Sequence, residues 1–403
     1  MVPSRKQFSR WINDHLTGLP HSEHCQVLEA MFPGHTARQL FAPDHTPGAT
    51  THTGAILEAR PRREDHTTDR RDALRFGGAL TAGYLLDSLH TEPDRLHATL
   101  NTSSTTPDHI THLEHTADEL GVRVLKVAPL PLADEATSCF RTVRQLLGQQ
   151  QRSADRTRLL RVAARLATVV GEILCDEGHV RLARSWYQAA HSAAVEAGDR
   201  LLADFALGGQ ALLPTYFGDP GNVLTLLNPR LTERTSPSPA ASYLWASKAR
   251  AHATLGQKIA FRHALNRART MLDATPAEPD SSGIFSFRPQ KLAFYEATGC
   301  ARLGDAAGAT ESAERALALY ESTDTIDPAL ARFDKATGLA RAGETTEACR
   351  VATTAILDPH TYLAPCVTNR AREFDALLGE PRIPAVRDWR DVLTTTTRPD
   401  QST

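Results

Sequence analysis

Much of what usually betrays an activity is missing from this sequence. It has no phosphate-binding glycine loop, no HExxH or GxSxG motif and no dinucleotide fingerprint, so the familiar enzyme signatures are absent and no enzyme is expected. The six cysteines (Cys25, Cys139, Cys175, Cys300, Cys349, Cys366) include no CxxC pair, and no secretory leader is apparent; they read as reduced thiols of a cytoplasmic protein. No apolar run approaches the roughly 20 residues that a membrane-spanning helix needs, so no membrane contact is expected. The stretch "RRDALRFGGALTAGYLL" from Arg70 has a twin-arginine look, but it lies far from the start and Arg75 interrupts its apolar part. Lysine is scarce, 6 against 39 arginines, a bias that fits a GC-rich genome. The net charge of −2 gives no overall attraction to a polyanion, so nucleic-acid binding would have to come from a local patch. Metal ligation finds no support either. His109, His112 and His115 rotate about 120° around a helix from first to last, and neither they nor "HSEHC" at 21–25 gain a completing ligand. No metal and no cofactor are expected.

What is present is helix after helix. From residue 153 onward, amphipathic stretches alternate with short glycine-centred turns at Gly178, Gly218, Gly256, Gly304 and Gly343, separated by 40, 38, 48 and 39 residues. Alanine recurs five residues after the glycine at Ala183, Ala309 and Ala348, and twelve after it at Ala190, Ala268, Ala316 and Ala355. These offsets lie two helical turns apart and share a face, where a small residue lets a neighbouring helix approach closely. The copy at Gly218 keeps the turn but places Val223 and Arg230 at the small positions. The 48-residue interval contains a loop, "ATPAEPDSSGIFSFRPQ", from Ala274 to Gln290. The pattern resembles the tetratricopeptide repeat, with "GDAAGATESAERALALYES" from Gly304 its clearest copy and a period longer than the standard 34. That resemblance implies an all-α, tetratricopeptide-like helical-hairpin solenoid whose first helices line a groove. Counting back from each turn, Arg165, Glu172, Tyr243, Arg250 and Lys291 face that groove, where a peptide or protein segment is the expected partner.

The chain in front divides by composition. Residues 1–41 carry short helices, 42–68 form a linker with three prolines, and 69–150 form a helical connecting region with helices near Ala73–Leu89, Pro107–Leu120 and Leu132–Gln149. The repeats then run over 151–396, with a disordered tail at 397–403. In the opening stretch Ser4 is placed as an N-cap. Phe8, Trp11, Ile12 and Leu16 fall on one side of the helix, and Lys6, Arg10 and Asn13 on the other.

"SRKQFSRWINDHLTGLP…CQVLEAMFPGHTARQLF" is similar to the recognition helix and following helices of Cro/repressor-type (Xre family) regulators. The order of linker, "DRRDALRFGGALTAG" segment, repeats and closing "IPAVRDWRDVL" resembles regulators of that type over nearly the whole chain. The resemblance implies the latter helices of a helix-turn-helix unit, N-terminally truncated, with Arg5, Lys6, Gln7 and Arg10 as DNA readers. DNA binding by the chain as it stands is expected to be weak, and a homodimer is among the expected assemblies. Two functions therefore stay open: a transcriptional regulator whose repeats sense a peptide or protein partner, and an adaptor that binds proteins and no DNA.

Overall fold

A computed structural model describes residues 107–275, 283–379 and 383–397, all within the second of the chain's two units, Asp69–Thr403. The described residues form helices and no strand. In chain order the helices are α1 (Pro107–Arg123), α2 (Pro129–Leu147), α3 (Ser153–Asp176), α4 (Val180–Glu196), α5 (Arg200–Phe217), α6 (Pro220–Leu227) and α7 (Pro239–Thr254). They continue with α8 (Lys258–Asp273), a 3-10 turn (Gly283–Phe285), α9 (Pro289–Leu303), α10 (Ala306–Leu317), α11 (Asp327–Arg341), α12 (Thr345–Leu357), α13 (Pro365–Leu377) and α14 (Pro384–Thr397). Among the described residues no helix is long and apolar enough to cross a membrane.

The sequence punctuates these helices chemically. Pro129, Pro220, Pro239, Pro289 and Pro365 each open a helix, where a missing N–H costs nothing. The side chains of Asp199, Asp219, Ser238 and Asp305 accept backbone N–H bonds from Leu202, Gly221, Ala241 and Gly308 at 2.8–3.0 Å, satisfying donors that the first turn leaves orphaned. Gly178, Gly256, Gly304 and Gly343 close the first helices of their pairs with φ between 72° and 88°. Gly218 differs. Its φ is −151°, ordinary extended backbone, and the turn there is made by the Asp219 cap followed by Pro220.

Each odd-numbered helix packs on its even-numbered successor, and the odd-numbered helices also pack on one another in an unbroken series from α1 to α13. The pair α1 and α2, within the expected connecting region, joins this series through α1 against α3. The two sets of helices are buried differently. In α3 the buried positions run nearly all round the helix from Leu159 to Asp176, whereas α4 buries the single stripe Ala183, Tyr187, Ala190 and Ala194. All seven alanines singled out by offset are fully buried, as is Val223. Arg230 instead leaves the packing surface and pairs with Asp204 of α5, its Nε 2.6 Å from Oδ1. Because Ala316 has no free space around it, Ala316→Phe is expected to overpack the α10 contact and cost about 1 to 3 kcal/mol, read by chemical denaturation. An unchanged midpoint would remove the close-approach explanation of the alanine pattern.

The series of odd helices also returns on itself. The Thr325 N–H and hydroxyl both donate to the Leu125 carbonyl, at 3.0 and 3.1 Å, and the Tyr362 N–H donates to the Thr325 carbonyl at 2.9 Å. Lys126 pairs with Glu321 at 2.6 Å, the Tyr362 hydroxyl bonds Glu177, and Pro365 lies against Gly178. The C-terminal ends of α1 and α3 thus meet the segments that lead into α11 and α13, and the 3-10 turn packs beside them on α1.

Candidate functional site

This closure borders a partly open cavity of about 240 Å3 whose wall draws on α1, α3, α5, α7, α9, α11 and α13. Two carboxylates four residues apart on α3, Glu172 and Asp176, face it from one side, and Lys291 of α9 and Asp327 of α11 face it from the other. Lys291 is committed to Asp327, which also accepts the Tyr320 hydroxyl at 3.1 Å. Glu172 accepts the Tyr187 hydroxyl at 2.6 Å. The Tyr187 ring reaches it by threading between Gly171 of α3 and Gly209 of α5, where any Cβ would lie within 3 Å of the ring. Asp176 makes no hydrogen bond or ion pair with any described residue, although it is only 9% exposed. Tyr243 stacks on Phe287 with ring centroids 5.4 Å apart, and both line the cavity beside Tyr216.

Electrostatics follow from enclosure. Burial, reinforced by Glu172 and Asp327 and only partly offset by Lys291, holds the Asp176 carboxyl well above the ordinary carboxylate range. Burial also raises Glu172, against the opposing pull of the Tyr187 bond and of Lys291. The Lys291 ammonium opposes burial successfully and is raised, chiefly through Asp327. The thiols of Cys175 and Cys366 on the same wall are pushed up by burial, which disfavours thiolate chemistry there.

A carboxyl raised in the folded state binds its proton more tightly folded than unfolded. Its stabilising share is therefore complete below the unfolded value near 3.8 and is lost as pH climbs through the raised folded value. Asp176→Asn is accordingly expected to stabilise the protein at pH 7.5 by about 1 to 3 kcal/mol, the scale of an uncompensated buried polar group, with the gain shrinking towards pH 4. Denaturation at the two pH values checks this. Equal effects at both would mean that Asp176 is not the group under strain. Glu172, Cys175 and Glu177 on its own helix, with Lys291, Asp327 and Cys366 across the cavity, are the titratable neighbours that shape the curve.

Of the five residues expected to face a groove, Glu172, Tyr243 and Lys291 come together on this wall. Arg250 and Arg165 do not, and the expectation that they face the groove needs correction. Arg250 is 2% exposed, its guanidinium enclosed by the rings of Tyr295, Tyr216 and Phe294 at 4.3–5.4 Å, so it lies one layer behind the cavity. Arg165 pairs with Asp118 of α1 and lies over the Phe285 ring at 5.7 Å. The expected DNA readers Arg5, Lys6, Gln7 and Arg10 lie outside the described residues, as do the 42–68 linker and the helix near Ala73–Leu89. His109, His112 and His115 are exposed on α1.

A larger depression of about 860 Å3 lies between α8 and α9. Its carboxylate Glu296 takes both Arg269 and Arg315. The smaller cavity is the candidate site because it alone of the two holds a buried carboxylate with no partner. Compared with protein-family models, with curated proteins and with solved structures, the chain matches none.

Proposed function

We propose that the chain is a regulatory protein in which a tetratricopeptide-like solenoid senses a ligand at the cavity and controls an N-terminal DNA-reading element. The glycine and alanine offsets support the repeat assignment, and the stretch around Arg5, Lys6, Gln7 and Arg10 supports the reading element. One observation carries the sensing: residues from seven odd-numbered helices line one charged cavity whose rim is made where the ends of α1 and α3 meet the segments leading into α11 and α13. A ligand entering there favours either the closed or the parted rim, and any difference in affinity between the two shifts the whole series of helices. The cavity volume suits a small molecule or the end of a peptide or protein segment better than a segment lying along the groove.

The DNA half is tested by retardation of a random-sequence duplex pool with the 403-residue chain and with its Arg5, Lys6, Gln7 and Arg10 to Ala variant. Binding by the unaltered chain is expected to be weak. The variant is expected to weaken it further and to flatten its salt dependence, because cationic contacts to phosphate release counterions. Retardation indifferent to the four substitutions would favour the adaptor that binds proteins and no DNA.

A further inference from the structure

We propose that the cavity is a binding site for a compact organic cation: a protonated primary amine on a short apolar or aromatic body, seated on Asp176 with Glu172 beside it. This rests on the reading of the cavity as the sensing site and adds the chemical class of its ligand.

Carboxylates outnumber cations on the wall: Glu172, Asp176, Glu321, Asp324 and Asp327 stand with Lys126, Arg288 and Lys291. Asp327 already holds Lys291, and Glu321 holds Lys126. Asp176 is nine-tenths buried, faces the cavity and has no partner among the described residues. Burying a carboxylate with no hydrogen-bonded or ion-paired partner is costly, and the cost falls away when a cation arrives from solution. An anion in the same place would meet Glu172 and Asp176 together. A neutral ligand would leave their desolvation unrelieved. The remaining surface suits the body of an amine, since Tyr216, Tyr243 and Phe287 supply aromatic rings, which attract cations and pack apolar groups. A volume of about 240 Å3 falls just below the usual range for drug-sized ligands, so the occupant is small, on the order of a dozen non-hydrogen atoms.

An ammonium of this kind arrives either on a free amine or at the N-terminus of a peptide, and the experiment separates them. The full 403-residue chain is titrated calorimetrically at pH 7.5 with tyramine, with 4-ethylphenol as its neutral counterpart and with 4-hydroxyphenylacetate as its anionic one. Phenylalanyl-glycinamide and its N-acetylated form provide the peptide arm. Saturable binding of tyramine, with none of the phenol or the acid, is expected. Binding of the free-N-terminal dipeptide but not of its acetylated form would assign the ammonium to a peptide end. Asp176→Asn is expected to weaken amine binding at least tenfold. Since the same variant is expected to be more stable, such a loss does not come from unfolding. Asp118→Asn, away from the cavity, is expected to leave binding unchanged. Equal binding of tyramine and 4-ethylphenol, or tyramine binding indifferent to Asp176→Asn, would overturn the proposal. Binding of the acid alone, abolished by Lys291→Met, would refute the cation while leaving the cavity a sensing site. Binding of none of the five probes would overturn both.

Discussion

Asp334→Ala is expected to destabilise the protein by about 3 to 5 kcal/mol. Asp334 is 1% exposed on α11 and takes the guanidinium of Arg370 on α13, itself 7% exposed. Its second oxygen accepts the Thr298 hydroxyl of α9 at 2.6 Å. One carboxylate thus ties three successive odd-numbered helices together. Its removal leaves Arg370 buried with only the half-exposed Glu373 at 3.4 Å, and leaves the Thr298 hydroxyl with only the Phe294 carbonyl at 3.1 Å. The cost comes from the stranded charge and not from the value of the pair, because an intact buried pair roughly breaks even against well-packed apolar side chains. Asp334→Leu combined with Arg370→Met should therefore recover most of what Asp334→Ala loses. Urea denaturation of the three proteins checks both statements. A loss below about 1 kcal/mol for Asp334→Ala would show that the site relaxes or hydrates, and no recovery in the double variant would show that the attraction itself was the stabilising part.

The second large effect is expected at the cavity rim. Gly283 has a φ of +63°, and a Cβ placed on it would come within 2.0 Å of the Gly121 carbonyl oxygen. Alanine there meets two costs. The left-handed backbone region disfavours any Cβ by about 1 to 2 kcal/mol, and the overlap is with backbone, which has no rotamer by which to escape. The 3-10 turn must then lift from the end of α1. Gly283→Ala is expected to lower stability by about 2 kcal/mol or more and to speed amide exchange at Thr325, whose N–H bonds the Leu125 carbonyl in the adjoining rim. Unchanged exchange at Thr325 would mean that the 3-10 turn and the Leu125–Thr325 contact move independently.

The local features of this fold could be read from sequence because they are set by local chemistry. Gly178, Gly256, Gly304 and Gly343 terminate helices through their own backbone freedom, and the alanines that follow sit at fixed offsets that a one-dimensional pattern records. Gly218 broke the pattern because Asp219 and Pro220, and not a left-handed glycine, make its turn. Gly198, with a φ of +70°, stands outside the series because it joins one pair to the next and Gln210 stands where the twelve-residue alanine would be, although Ala203 follows at the five-residue offset. Counting back from the turns found Glu172, Tyr243 and Lys291. The same counting could not tell that Arg250 would be covered by Tyr216 and Tyr295, which come from different helices. Asp176 and Asp327 were missed for a related reason: their importance depends on α3 and α11 facing each other across a closure between residues 200 apart in sequence, as with Leu125 and Thr325. One signal was present in the sequence. Glu172 and Asp176 are the two charged residues of "LATVVGEILCD", at the spacing that puts both on one face.

The contact between Leu125 and Thr325 also orders events in time. Each helical pair finds its partner within a few tens of residues, so pairs can form as the chain emerges from the ribosome. The rim cannot. The Leu125 carbonyl at the end of α1 has no donor for its closing bonds until the segment at Thr325 exists, and Tyr362 and Pro365 reach Glu177 and Gly178 later still. During synthesis the early pairs therefore precede the rim, with Glu172 already bonded to Tyr187 of its own pair and Asp176 still open to water. Joining the ends is the step that takes Asp176 out of water. A cation held there at that moment would speed the joining as well as stabilise its product, so the refolding rate of the slowest phase becomes a direct measure of whether the cavity fills before or after the rim closes.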